Sequence, residues 1–203
     1  MPKNSHKNNM LYQMSVISME TVMIYQEHEI GEPIYIPLKV PTEADKFLDD
    51  NRHYTKSNIN VCYAAPRSKR KSRDWYEVQM TVAKEITRLE GYPEKNSPFF
   101  VVTDDGYWFK AHTTSDGNKQ FSAVGDELIM GRWIKGRLAA AGLVNPVNDS
   151  QKDTNRDGMI TKEMLETYGR NAIIITKTDQ HALDDDGTTT LDVWTLSFEK
   201  IDS

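Results

Sequence analysis

Apolar and polar residues alternate along much of the chain after residue 58, a pattern typical of strands that bury one face. The clearest hairpin signal is the turn Asp104-Asp105-Gly106 between two such runs, because Asp-Gly suits the tight turns that join antiparallel strands. Together the runs predict about seven strands, at 59–64, 76–82, 99–103, 107–113, 119–123, 172–176 and 191–198. A mainly antiparallel sheet of this size predicts a barrel or half-open barrel.

Helical spacing is limited to short segments. The clearest helix is predicted to begin at Asp126, a good N-cap residue, and to end at Gly142. Two shorter helices are predicted at 83–90 and 161–168, each followed by a glycine. The predicted fold class is therefore mainly β, with two or three short flanking helices.

The chain before residue 57 has a different pattern. Residues 1–10 are polar and without periodicity, and short apolar runs between Ser15 and Val40 predict one or two strands that lead into a linker. We therefore expect a disordered start and a linker within residues 1–56, and a folded domain over 57–203.

Composition narrows the classes of protein without choosing among them. At 203 residues the chain can bury one core, and its single cysteine, Cys62, excludes an internal disulfide. No segment has the ~18–20 apolar residues of a membrane span or the pattern of a signal peptide, so we expect no membrane partner and a reducing cytoplasm. The net charge of −5 gives no sign of nucleic-acid binding, but the positive charges are unevenly distributed.

Two polar loops carry candidate binding chemistry. Residues 66–73, PRSKRKSR, contain five positive charges and no acid. Arginine and lysine bind phosphates, and arginine can also donate two hydrogen bonds to guanine. The turn at 115–120 has amide side chains that suit adenine. Each loop also has a simpler explanation, a solvated charged loop for the first and ordinary turn chemistry for the second.

The segment 153–161 matches the first nine positions of an EF-hand calcium loop. The twelfth position should be a bidentate glutamate, but it is Met164, so we assign no metal and favour a polar turn. The acidic run 184–186 likewise favours a solvated turn.

No catalytic residue and no cofactor are assigned from the sequence. No lysine has an acid two positions before it, as the (D/E)xK element of a common metal-dependent nuclease requires. No histidine begins an HxK pair, and none lies in a zinc-binding spacing with cysteine.

Six stretches carry the most specific sequence signal: SNINVCYAAPRSKRKSRDWYEVQMTV, PFFVVTDDGYWFKA, DGNKQF, LIMGRWIKGRL, MITKEMLETYGRNAIIITK and WTLSFE. In this order they resemble the C-terminal part of NgoFVII-family restriction endonucleases over about residues 57–199. The most specific pieces are TDDG with the aromatic residues that follow it, and the ITKEML-ETYGR block.

The resemblance implies a B3-like DNA-binding domain, a seven-stranded open pseudobarrel that grips the major groove of double-stranded DNA with two arms. It also implies a phospholipase D-like catalytic domain in the full-length enzyme, whose last edge would lie within residues 1–56, and a monomeric isolated domain. Mapped onto this chain, the first arm is Arg67, Ser68, Lys69, Arg70, Lys71, Ser72, Arg73, Asp74 and Trp75, and the second includes His112, Thr114, Asp116, Gly117, Asn118, Lys119 and Gln120.

Roles within the arms follow from side-chain chemistry. The expected base readers are Arg70, Arg73, Asn118, Lys119 and Gln120, and the expected phosphate contacts are Arg67, Lys69, Lys71 and Ser72. This chain departs from the family pattern in its densely charged first arm and in the long segment VNPVNDSQKDTNRDG. The resemblance therefore does not define which base pairs are read.

Three other classes of function remain open from the sequence. A metal-dependent hydrolase would use the acids at 153–157 and 184–186. A calcium-binding or protein-interaction module would use Asp153, Asn155 and Asp157. RNA binding is a third alternative, although two rigid arms suit double-stranded sites better than the exposed aromatic platforms that single strands need.

Overall fold

A computed structural model describes residues 14–48, 58–64 and 71–200 of the chain. These residues form two compact units. The first contains residues 14–36, 82–126 and 173–199, and the second contains 127–172, Lys200 and the described residues between 37 and 81. The second predicted arm lies in the first unit, and the described part of the first arm lies in the second unit.

The described residues contain eight strands: β1, Met14–Val16; β2, Ile34–Pro37; β3, Met80–Thr81; β4, Phe99–Thr103; β5, Tyr107–Thr114; β6, Gln120–Ala123; β7, Ala172–Leu183; and β8, Thr190–Ser197. Their order in the sheet is β2-β7-β8-β4-β5-β6-β3, and β1 pairs with β5. Strand β4 is antiparallel to β5 and parallel to β8. The fold is mainly β, and the predicted seven-stranded open pseudobarrel is confirmed.

Four α-helices lie in the described residues: α1, Met19–Glu27; α2, Lys84–Thr87; α3, Ile129–Ala140; and α4, Lys162–Tyr168. Single 3₁₀ turns occur at Val61–Tyr63 and Asp116–Asn118. None of the helices in this part of the chain is long and apolar enough to cross a bilayer.

Strand β4 is the apolar centre of the first unit, because all five of its residues are buried. Phe100 and Val102 pack with Val22 of α1 and Val193 of β8. Phe99 stacks on Phe121 of β6, with ring centroids 6.2 Å apart. The continuous apolar run of β4 is therefore explained by neighbours on both of its faces.

The prediction of one or two strands between Ser15 and Val40 missed a helix. Strands β1 and β2 are present, but α1 lies between them. The Ser18 hydroxyl accepts a hydrogen bond from the Thr21 N–H at 3.1 Å, which caps the first turn of α1. The proposed division of the chain at residue 57 stays a prediction.

The strand predicted at 59–64 is wrong, since Val61–Tyr63 form a 3₁₀ turn. The alternation was misleading because Asn60 and Cys62 are as buried as their apolar neighbours. The Asn60 side chain donates to the Ile160 carbonyl at 2.7 Å and accepts from the Ile160 N–H at 2.9 Å. These two bonds replace the hydrogen bonds with water that the Asn60 amide loses on burial.

Several element boundaries also differ from those predicted: β7 runs to Leu183 instead of ending at 176, and α2 is shorter than the helix predicted at 83–90. Within 76–82, only Met80–Thr81 form a strand. Asp126 is not the N-cap of α3, because that helix begins at Ile129 with Leu128 in the capping position. The hairpin of β4 and β5, the strand β6, the helix α4 and the final two strands are confirmed.

A substitution in α3 tests the close approach of this helix to the end of the first arm. A Cβ atom at Gly131 would lie 1.6 Å from the Tyr76 carbonyl oxygen, whereas Gly136 in the same helix has nothing within 4 Å. We expect Gly131→Ala to lower the free energy of unfolding by about 3 kcal/mol or more, because backbone must move. Gly136→Ala is the matched control and should raise it by up to about 1 kcal/mol through helix propensity. Urea unfolding measures both, and equal effects would contradict the contact.

Candidate nucleic-acid interface

The first arm is described from Lys71 to Trp75, and its predicted contacts Arg67, Ser68, Lys69 and Arg70 lie outside the described residues. Lys71 is exposed, and Ser72 and Arg73 are half-buried.

Arg73 and Asp74 both make local contacts. The Arg73 guanidinium donates to the Glu77 carboxylate at 2.5 Å. A guanidinium has five N–H donors in a fixed plane, so this ion pair orients Arg73 while leaving donors free for a ligand. Asp74 accepts from the Tyr76 N–H at 2.8 Å and so closes a turn.

Trp75 is placed in the interior rather than on the arm's surface. It is 2% exposed, and its indole N–H donates to the Gly158 carbonyl at 2.7 Å. Lys135 of α3 donates from Nζ to the Trp75 carbonyl and lies 4.1 Å from the centre of the indole ring. Trp75 therefore fixes the point where the arm rejoins the domain, and it has almost no surface to offer to DNA.

Lys135 is an ionisable residue in the buried interior of the protein. The residue is 0% exposed, and its ammonium lies 3.9 Å from the Cys62 sulfur. Burial lowers the pKa of Lys135 to about 8, and burial raises the pKa of the Cys62 thiol. The ammonium is retained at neutral pH by the Trp75 carbonyl and the indole face.

Strands β5 and β6 bring three residues of the second arm onto one face. His112 is opposite Ser122 and Thr114 is opposite Gln120, while the alternate positions are buried. Burial lowers the pKa of His112, so its ring is neutral at pH 7 and offers one donor and one acceptor. Sequence reasoning missed Ser122, although its position two residues after Gln120 in a strand places it on the same face.

The turn between these strands is held from inside by Asn118. The side-chain N–H₂ of Asn118 donates to the Pro93 carbonyl at 2.7 Å. The backbone carbonyl of Asn118 accepts a hydrogen bond from the Tyr92 hydroxyl at 3.2 Å. Its φ of +56° is a left-handed conformation that asparagine adopts more readily than most residues. Asn118 therefore supports the turn, while Asp116, Gly117 and Lys119 are exposed.

The calcium-like segment uses its first acid to close a turn. Asp153 accepts hydrogen bonds from the Tyr63 hydroxyl at 2.5 Å, the Gly158 N–H at 2.9 Å and the Asp157 N–H at 3.0 Å. Burial alone would raise the pKa of Asp153, but these hydrogen bonds lower it below its usual value. In the acidic run, Asp186 accepts from two following N–H groups. Across 14–48, 58–64 and 71–200, no group of three His, Cys, Asp or Glu side chains could hold a metal ion.

Comparison with known proteins gives one family. The family model of the NgoFVII C-terminal B3-like DNA-binding domain matches residues 31–168, which is more than half of the chain and includes both predicted arms. No curated protein matches the chain. The match confirms the resemblance found in the sequence.

The buried ammonium predicts a stability that rises with pH. Because the pKa of Lys135 is lower in the folded state than in the unfolded chain, the unfolded chain binds more protons between the two values, so raising the pH favours folding. We expect the free energy of unfolding of the chain with Lys135, relative to Lys135→Met, to rise by about 2 kcal/mol from about pH 7.5 to about pH 9.5.

Urea unfolding at several pH values measures this difference. Both proteins carry Cys62→Ala, because the Cys62 thiol interacts with Lys135, and the comparison then cancels the contribution of the other groups common to both. A difference that stays constant or falls over this pH range would contradict burial of a charged Lys135.

Proposed function

Because the chain belongs to the family of NgoFVII C-terminal B3-like DNA-binding domains, we propose that it reads a specific sequence of double-stranded DNA as the target-recognition domain of a restriction endonuclease. A phospholipase D-like domain of the full-length enzyme would supply the cleavage chemistry, in the cytoplasm. This chain by itself would bind as a monomer, without catalytic residues, metal or cofactor.

The observation that carries the proposal is the basic first arm inside the matched span. Its five positive charges suit phosphates, and its downstream end is fixed by the buried Trp75. We assign Arg67, Lys69, Lys71 and Ser72 to phosphates, and Arg70 and Arg73 to bases. The contact with Glu77 supports this role for Arg73, since a guanidinium oriented beforehand loses less side-chain entropy on binding.

For the second arm we propose a reading surface on the outer face of β5 and β6. His112, Thr114, Gln120 and Ser122 share that face and offer both donors and acceptors to base edges. Lys119 is exposed beside them and suits a phosphate. Asn118 is given a supporting role here instead of base reading, because its N–H₂ is bound to Pro93.

Selection from a random pool of short DNA duplexes tests the proposal directly. The unmodified chain is expected to enrich one short motif, and the double variant Arg70→Ala with Arg73→Ala is expected to lose that enrichment because its base contacts are gone. The double variant Lys162→Ala with Lys177→Ala removes the same charge from α4 and β7, and it should select the motif of the unmodified chain.

Two outcomes would contradict the proposal. Equal binding of all duplexes at every salt concentration would show that the domain does not read sequence. Loss of the motif in the Lys162 and Lys177 control alone would place recognition outside the arms.

Single substitutions in the second arm separate its two proposed contact types. Lys119→Ala should weaken all duplexes alike and reduce the slope of log affinity against log salt by about 0.9, the value for one phosphate contact. Gln120→Ala should keep the slope and relax the preference at one base pair by about 1–3 kcal/mol. Salt titrations on the selected duplex and its single-base variants measure both quantities. If Lys119→Ala relaxed the base preference and Gln120→Ala reduced the salt slope, Gln120 would be the phosphate contact and Lys119 the base contact.

A further inference from the structure

Residues 62–64 precede the first arm and Trp75 ends it, so the direction in which the arm points depends on how these residues are held. A loop fixed at one end samples many orientations, and binding must then restrict them at an entropic cost. Both ends of this arm contact the same segment, residues 150–158, which we call the arm clamp.

The residues before the arm are held by four hydrogen bonds with side chains of the clamp. Gln151 donates from Nε2 to the carbonyls of Cys62 at 3.2 Å and Ala64 at 3.4 Å. Ser150 donates its hydroxyl to the same Cys62 carbonyl. The Tyr63 hydroxyl donates to Asp153 at 2.5 Å. The last described residues before the arm are therefore bound through both backbone and side chain.

The returning end is held at the other end of the clamp. The Trp75 indole N–H donates to the Gly158 carbonyl at 2.7 Å. A Cβ atom at Gly158 would lie 2.6 Å from the Tyr63 hydroxyl oxygen and 3.1 Å from the Trp75 indole nitrogen. Gly158 thus lies close to Tyr63 before the arm and to Trp75 at its end, and a side chain at this position would displace one or both of them.

We infer that the arm clamp positions the first arm for sequence reading and that Gln151 is its positioning residue for the departing end; this inference rests on the proposed function. Base contacts need side chains placed within about half an ångström, whereas phosphate contacts tolerate displacement because charge attraction varies slowly with distance. Loosening the clamp therefore lowers discrimination between sequences more than it lowers non-specific affinity.

Gln151 is the best residue for a test because it is exposed and its side chain does not fill the core. Gln151→Met keeps the shape of the side chain and removes both donors. The matched control is Gln26→Met, which makes the same change at an exposed residue of α1 in the other compact unit. We expect Gln151→Met to reduce the ratio of affinities for the selected and an unrelated duplex roughly tenfold, with affinity for the unrelated duplex unchanged.

A double-mutant cycle distinguishes positioning from a general structural effect. If Gln151 acts through the arm, Gln151→Met has a smaller effect on discrimination in an Arg73→Ala background, which keeps part of the discrimination, than in the unmodified chain. A fall in discrimination of the same size in both backgrounds would overturn the inference, as would full discrimination in Gln151→Met.

A measurement without DNA separates this inference from the proposed function. Trypsin cleavage after Lys71 and Arg73 under native conditions should be faster in Gln151→Met than in the unmodified chain, and unchanged in Gln26→Met. Faster cleavage in a chain that selects no DNA motif would reject the proposed function and keep the clamp. Unchanged cleavage and unchanged discrimination in a chain that does select a motif would reject the clamp alone.

Discussion

The burial of Trp75 is the interaction on which the candidate interface depends. The side chain removes ~150–250 Å² from water, worth about 4–6 kcal/mol, at the point where the most positively charged loop of the chain rejoins the fold. Its indole N–H and its carbonyl are both satisfied, by Gly158 and by Lys135. Because the charges of this loop repel one another, an attachment outside the charged stretch helps to retain it.

The distribution of charge explains how a chain with a net charge of −5 can belong to a DNA-binding family. Several cations outside the arms are neutralised by nearby acids: Lys110 by Asp184, Lys177 by Asp192 and Lys46 by Glu43. Residues 66–73 have five positive charges and no acid, and of these Arg73 is paired with Glu77. Positive charge concentrated in one loop of a chain with a negative net charge favours contact with DNA through that loop.

The sequence predicted those parts of the fold that are determined by neighbouring residues. The turn at 104–106 and the alternation of β5 act over a few positions, so the hairpin and its outer face followed from the sequence. The 3₁₀ turn at Val61–Tyr63 could not be predicted, because Asn60 beside it is satisfied by Ile160, one hundred residues away. The inward roles of Trp75 and Asn118 were missed for the same reason, since their partners at Gly158 and Pro93 are distant in sequence. The family itself was recognised from ordered motifs, independently of these contacts.

The parallel pairing of β4 with β8 has a consequence for how the protein reaches this structure. Phe100 pairs with Val193, so the central strand is completed only when a segment of roughly ninety residues has been closed into a loop. Such non-local pairing slows folding, and during synthesis β4 leaves the ribosome well before its partner exists. Until β8 arrives, a strand with four apolar residues in succession has an open edge, so the nascent domain passes through a stage in which it is vulnerable to aggregation.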